Sequence, residues 1–277
     1  MNHFITQTEL ATKISTDNNL VVLDARAELM DSSAGWNQYK TSHIKSAQFV
    51  SMEDTLTGKI RTHGGRHPLP NMENFITAMK KVGMNDSSMV VIYDDGNLAM
   101  AGRLWWLLKY AGKDNVYLLE GGMKKWLENK LEVTNVLKEP VTSNSLSLNI
   151  KTALLVDVHE VKRAVRSTDT AIIDSRAYER YAGQVEPLDT RPGHIPNALN
   201  YPWTDLVNNG QLMNKKELEE RFEPLQNYKE VIVHCGSGIT GTVNILFMKE
   251  VGLNPKLYLG GYSDWVSYAD NKVETKN

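Results

Sequence analysis

One cysteine, Cys235, serves all 277 residues, which excludes an intramolecular disulfide and any metal site built from several thiolates. No apolar run approaches transmembrane length. The opening stretch, Met1-Asn2-His3-Phe4-Ile5-Thr6, lacks the basic-then-apolar layout of a signal peptide, so a reduced, cytoplasmic location is expected. Neither charge sign is in excess: 31 Lys and Arg stand against 33 Asp and Glu, a formal net charge of -2. Nucleic acid or an anionic membrane is therefore not expected as the main partner. What remains is the composition of a globular protein, long enough for two domains that each bury a core.

The lone thiol sits in Val231-Ile232-Val233-His234-Cys235-Gly236-Ser237-Gly238-Ile239-Thr240-Gly241, which reads as a short strand, a tight glycine-bearing loop and a helix start. At such a place loop amides and unpaired helix N–H groups converge on the sulfur and stabilise negative charge there. Gly236 and Gly238 are expected to supply positive-φ turns. The alternative is a small buried hydrophobe, a common fate of free cysteine. A core cysteine, however, usually lies inside an apolar run, whereas this one ends the run and opens a Gly-Ser-Gly loop.

The chain repeats itself. Val21-Val22-Leu23-Asp24-Ala25-Arg26 returns as Ala171-Ile172-Ile173-Asp174-Ser175-Arg176, and His43-Ile44-Lys45-Ser46-Ala47 as His194-Ile195-Pro196-Asn197-Ala198. Met89–Gly96 pairs with Glu230–Gly236, and Gly121-Gly122-Met123-Lys124-Lys125-Trp126 with Gly260-Gly261-Tyr262-Ser263-Asp264-Trp265. Four matches in one order indicate a duplicated domain; the period is far too long for a solenoid. Residues 8–133 and 151–277 are expected as the two domains, with the polar stretch 134–150 as linker. In each half, apolar β-branched runs alternate with helix-patterned segments, as in a mainly parallel sheet flanked by helices on both faces. Ligands of such sheets gather at the carboxyl ends of the strands, where Asp94 and Cys235 both fall. Trp126 and Trp265 are read as core, and the Asp24–Arg26 and Asp174–Arg176 pairs as fixings of strand ends.

A duplicated α/β domain with a loop cysteine in the second copy only resembles the tandem rhodanese family of sulfurtransferases. The resemblance rests on Leu23-Asp24-Ala25-Arg26, the His-Ile marks at His43 and His194, His67-Pro68-Leu69-Pro70, Tyr93-Asp94-Asp95-Gly96, Arg191–Pro196 and Cys235–Thr240. It implies an α/β fold of two rhodanese-like domains. It also implies a cysteine that takes sulfane sulfur as a persulfide and passes it to a thiol or cyanide acceptor, thioredoxin among the candidates, without metal or organic cofactor. A carboxylate cannot take up sulfane sulfur, so the Asp94 copy is expected to be silent and to wall an interdomain cleft.

The family divides by donor. Thiosulfate-preferring members resemble one another in cationic residues after the cysteine, whereas the mercaptopyruvate branch has a neutral loop like Cys235-Gly236-Ser237-Gly238-Ile239-Thr240. The resemblance therefore implies 3-mercaptopyruvate as donor, with thiosulfate the alternative, and Gly236, Gly238, Ile239 and Thr240 lining its site. It implies Arg180 as a clamp on the donor carboxylate. A second family arginine falls, on counting, at Asp189, and the neighbouring Arg191 is taken in its place. Ser237 is expected to work with His43 and Asp31. His234 is expected to point to the opposite side of its strand. Cysteine phosphatases carry a comparable loop but need an arginine six residues after the cysteine, where this chain has Gly241. A non-catalytic sulfur carrier would predict a poorly cradled cysteine, and a Cys-His-Asp hydrolase would need an oxyanion partner that no motif marks.

Overall fold

A computed structural model describes residues 2–208 and 210–276. Two compact units emerge, and neither is one continuous stretch of chain. The first comprises Met1–Gly58, Pro70–Lys151 and Asn208–Leu212; the second comprises Lys59–Leu69, Thr152–Val207 and Met213–Asn277.

The first unit runs β1 (Phe4–Ile5), α1 (Gln7–Thr16), β2 (Leu20–Asp24), α2 (Ala34–Thr41), β3 (His43–Ile44), β4 (Ala47–Phe49), α3 (Met72–Lys81), β5 (Met89–Tyr93), α4 (Ala99–Tyr110), β6 (Val116–Leu119), α5 (Gly122–Glu128) and β7 (Val133–Thr134). Its five-stranded sheet has the order β1-β6-β5-β2-β4, every pair parallel. The second unit runs β8 (Leu155–Val156), α6 (Val158–Ala164), β9 (Thr170–Asp174), α7 (Tyr178–Ala182) and β10 (Leu199–Asn200). Along the chain a small hairpin of β11 (Val207–Asn208) and β12 (Gln211–Leu212), its residues from Asn208 on counted with the first unit, precedes the second unit's α8 (Lys215–Phe222), β13 (Glu230–His234), α9 (Gly241–Glu250), β14 (Lys256–Tyr258) and α10 (Gly261–Trp265). The second sheet, β10-β9-β13-β14-β8, is again wholly parallel. Strands such as Val90-Val91-Ile92 and Val231-Ile232-Val233 are buried throughout, which explains their unbroken apolar sequence.

The duplication extends to atomic detail. Asp24 is in register with Tyr93, and Asp174 with His234, at the carboxyl ends of the central strands. Arg26 and Arg176 each fold back on the aspartate two residues earlier, with Nη2–Oδ2 at 2.6 Å in both. Helices α1 and α6 open with the same reciprocal device, Thr6 with Glu9 and Asp157 with Glu160. Trp126 and Trp265 are buried and donate Nε1–H to the carbonyls of Glu132 and Lys272.

The stretch expected as a linker is docked along the first unit. Ser143 N–H donates to Lys80 O, Asp86 N–H to Ser145 O, and Asn149 N–H to Ala111 O. Its backbone amides and carbonyls make these bonds, and the Ser147 side chain adds one to the Asp86 carboxylate. A second departure from the linear reading is residues 59–69, which join the cysteine-bearing unit. Gly64 N–H donates to Asp264 Oδ1 at 2.7 Å, and His63 bonds Ser267 Oγ at 2.7 Å while stacking on Tyr268. Gly65 sits at φ +78°, where a β-carbon would lie 2.3 Å from Gly260 O.

Candidate active site at the cysteine loop

Strand β13 ends at His234, and the chain crosses Cys235–Thr240 before α9 begins at Gly241. Cys235 is 2% exposed, and its sulfur accepts the Gly238 N–H at 3.2 Å. Gly238 has φ +79°, and a β-carbon there would lie 2.1 Å from Leu259 O, so the turn that aims this amide at the sulfur admits only glycine. Gly236 is different. It is not among the positive-φ glycines; what it needs is space, because a β-carbon there would stand 3.0 Å from Arg66 Nη2 and 3.5 Å from Arg180 Nη1. Two guanidiniums therefore border the cysteine loop. Tyr262 and Ser263 N–H groups hold the carbonyls of Cys235 and Gly236 at 2.8 Å, fixing the loop from α10.

Ser237 is buried, and its Oγ is joined to His67 Nδ1 at 2.7 Å. His67 and Arg66 arrive together from the 59–69 segment. Arg66 Nη1 pairs with Asp189 Oδ1, and Arg180 Nη2 reaches Asp189 Oδ2 at 3.1 Å. Arg180 also grips Glu186 through Nη2 at 2.7 Å and Nε at 3.2 Å. Burial pushes the Asp189 carboxyl up, against the pull of Arg66 and Arg180. Burial also opposes ionisation of Glu186, yet the Arg180 and Leu188 hydrogen bonds hold it below its usual range.

Three residues expected at the site have other occupations. Arg191 donates to the backbone carbonyls of Asn271, Val266 and Tyr268, which ties down the C-terminal segment; it is not a clamp. His43 is buried, donates Nδ1–H to Tyr39 O at 2.7 Å and stacks on the Tyr39 ring. Its repeat, His194, makes the same bond to Tyr181 O at 2.8 Å and the same stack, so this histidine is a structural fixture of both copies. Asp31 is exposed in a turn, its Oδ1 accepting the N–H and O–H of Ser33. The imidazole beside Ser237 is His67. Ile239 and Thr240 complete the loop: Ile239 is buried, and its carbonyl accepts from Thr242. His234 lies inside the sheet end, with Nδ1–H donated to Cys235 O at 3.1 Å.

The first unit's loop shows what its carboxylate does. Asp94 Oδ1 accepts from Gly96 and Leu98 N–H, and Oδ2 from Ala101 N–H, at 2.8–3.1 Å. The amide cradle is there, already filled by a side chain of the loop itself. Burial nonetheless raises the Asp94 pKa.

Residues 6–129 and 157–268 each match the rhodanese-like domain. The chain belongs to the rhodanese family. An Escherichia coli K12 protein named 3-mercaptopyruvate sulfurtransferase is 35% identical over 242 residues, covering 86% of this chain and 85% of its own. An Azotobacter vinelandii thiosulfate sulfurtransferase is 27% identical over 241 residues, 86% of this chain and 87% of its own. The crystal structure of SseA from Escherichia coli superposes with a TM-score of 0.82 at 33% identity, over 95% of this chain and all of the other. This rhodanese chain is a sulfurtransferase, an enzyme acting on a small-molecule sulfur donor. Among the described residues, no helix is long and apolar enough to cross a membrane.

Of the residues the sequence singles out, the fold brings Cys235, Ser237 and Arg180 of this rhodanese chain together; it adds Arg66, His67 and the carboxylates between the arginines, which the sequence does not mark as neighbours of the loop. His67-Pro68-Leu69-Pro70 was visible as a family mark. Its place beside Ser237 depends on a segment that leaves its own half of the sequence, which no local pattern announces.

Proposed function

We propose that the enzyme takes sulfur from 3-mercaptopyruvate onto Cys235 as a persulfide and hands it to a nucleophilic acceptor, with thioredoxin, a small thiol or cyanide as candidates. The observation that carries this reading is the convergence on one neutral loop of a thiol, a Ser237–His67 pair and two guanidiniums. Arg66 and Arg180 suit the planar carboxylate of a 2-oxo acid, which accepts paired N–H donors. Ser237 suits its carbonyl oxygen. With a proton on His67 Nδ1, the serine oxygen accepts from the imidazole and keeps its own O–H for the donor.

In this scheme the Cys235 thiolate attacks the donor's sulfur and a sulfur–sulfur bond forms. The sulfur–carbon bond breaks, and its electron pair passes into the enolate of pyruvate, whose oxygen Ser237 stabilises. Protonation of the enolate carbon releases pyruvate. An acceptor thiolate then attacks the outer sulfur and returns Cys235 to its starting state, a ping-pong sequence. A reducing compartment, the cytoplasm, suits an enzyme that must keep this thiol free.

The test is intact-protein mass spectrometry after 3-mercaptopyruvate exposure. One added sulfur on the wild type, lost on treatment with a thiol and absent from Cys235→Ser, is the expected result. A stable acyl adduct, or sulfur addition to Cys235→Ser, would overturn the mechanism.

A further inference from the structure

Six charged groups run in alternation from the end of β9 to the cysteine loop: Asp174, Arg176, Glu186, Arg180, Asp189 and Arg66. Arg176 is bound to Asp174 Oδ2 at 2.6 Å and to Glu186 Oε2 at 3.0 Å. Glu186 passes to Arg180 at 2.7 Å, Arg180 to Asp189 at 3.1 Å, and Asp189 to Arg66. The side chains of Asp174, Arg176, Glu186 and Asp189 are each 2% exposed or less, whereas Arg180 and Arg66 reach 20% and 29%. The chain is thus anchored inside the unit and opens to solvent only at the two arginines beside Gly236.

We infer that Asp189 sets the charge class of the sulfur donor: bridging Arg66 and Arg180, with Glu186 as the second carboxylate on Arg180, it leaves two guanidinium edges whose charge is balanced, matched to a monoanionic carboxylate and not to a dianion. Asp189 does two things at once. Its two oxygens take one amino group from each arginine, which relieves repulsion between like charges and leaves Arg66 Nη2 and Arg180 Nη1 beside Gly236. Its charge, with that of Glu186, cancels the two guanidiniums that border the loop. A monoanion is held there by planar hydrogen bonds, for which geometry suffices. A dianion needs net positive charge to offset its desolvation, and the alternation denies it. Asp189 acts through the arginines, so it is a positioning and specificity residue.

This inference rests on the two-arginine clamp of the proposed reaction, but its test does not need the reaction. Sulfate and pyruvate, a dianion and a monoanion of similar size, are titrated calorimetrically into Cys235→Ser and into Cys235→Ser carrying Asp189→Asn. Asparagine keeps the shape and one acceptor while removing the charge. The sulfate-to-pyruvate affinity ratio is expected to rise ~tenfold or more, because one unit of charge a few ångströms away acts twice as strongly on the dianion. In the active enzyme, the thiosulfate-to-mercaptopyruvate ratio of kcat/KM should rise in the same direction. Equal losses for both anions would mean that Asp189 only props up the arginines, and would overturn the inference. Should Asp189→Asn not fold, Arg66→Gln, at a partly exposed position, makes the converse test: sulfate binding must fall more than pyruvate binding, and an unchanged ratio counts against the idea. A shifted binding ratio in an enzyme that 3-mercaptopyruvate fails to sulfurate would leave this inference standing and sink the proposed donor.

Discussion

Single residues at equivalent loops carry opposite chemistry. Asp94 and Cys235 both end a central strand, and Met123 and Tyr262 N–H groups hold their carbonyls at the same distance, 2.8 Å. One loop offers its amides to a carboxylate of its own, the other offers Gly238 N–H to a sulfur. Asp94→Ala should therefore leave persulfide formation unchanged while destabilising the first unit by roughly 1–3 kcal/mol, because buried amides lose their acceptor. Asp94→Asn, which keeps an acceptor oxygen, should recover much of that loss. Chemical denaturation followed alongside a sulfur-transfer assay checks both; loss of transfer in the folded Ala variant would give this loop a direct role. At this scale the sequence pointed to Cys235, Ser237 and Arg180, which the fold does place at one loop. It misled for His43 and Arg191, since a polar side chain in a matching motif looks the same whether it faces a substrate or caps a backbone carbonyl.

Among the elements, the strap 134–150 was read as a linker on composition alone. Asp86 is the post that fixes it, receiving Lys113 Nζ, Ser147 N–H and Ser147 O–H. The lysine hydrogen bond first, and then the Ser147 amide, lower the Asp86 pKa to about 2. A carboxyl depressed on docking contributes its grip above the free value of about 4 and loses it as pH falls through the docked one. Relative to the rate of a free amide at the same pH, hydrogen exchange at Ser145, Ser147 and Asn149 should therefore be slow at neutral pH and quicken between about pH 4 and 2. Asp86→Ala should quicken it at neutral pH, with β5 still protected. Equal protection in the variant would show that the strap is held by its backbone bonds alone. No periodicity marks such a segment, because an extended strap buries few side chains.

Over the whole molecule, buried histidines shape the response to acid. Burial first, against attraction to Asp174, pulls the His234 pKa down, and burial likewise lowers His194. Among the described residues His234 Nε2 has no hydrogen-bond partner; Asp174 Oδ2 is 3.9 Å away. Below the unfolded value of about 6.5 the unfolded chain binds protons that these rings refuse, so stability present above that pH is lost as pH falls toward the folded values. The melting temperature should drop between pH 7.5 and 5.5, and His234→Asn should flatten the slope. An identical slope in the variant would assign the acid response to other groups. Depressed carboxyls such as Asp174 and Glu186 act in a lower pH window and cannot imitate it.

Duplication, parallel sheets and the place of the loop cysteine were decided by the sequence itself, because they follow from short local patterns and their ordered return: apolar runs, a Gly-Ser-Gly turn, an aspartate where its repeat has a thiol. Tertiary structure decided which histidine meets Ser237 and which arginine joins Arg180. Both come from residues 59–69, a segment of the first half that packs in the second unit through Gly64, Gly65 and His63. The physical reason is separation along the chain. Arg66 and Asp189 are 123 positions apart, and His67 and Ser237 are 170. Only the folded backbone, not any local spacing, brings such groups within hydrogen-bond reach.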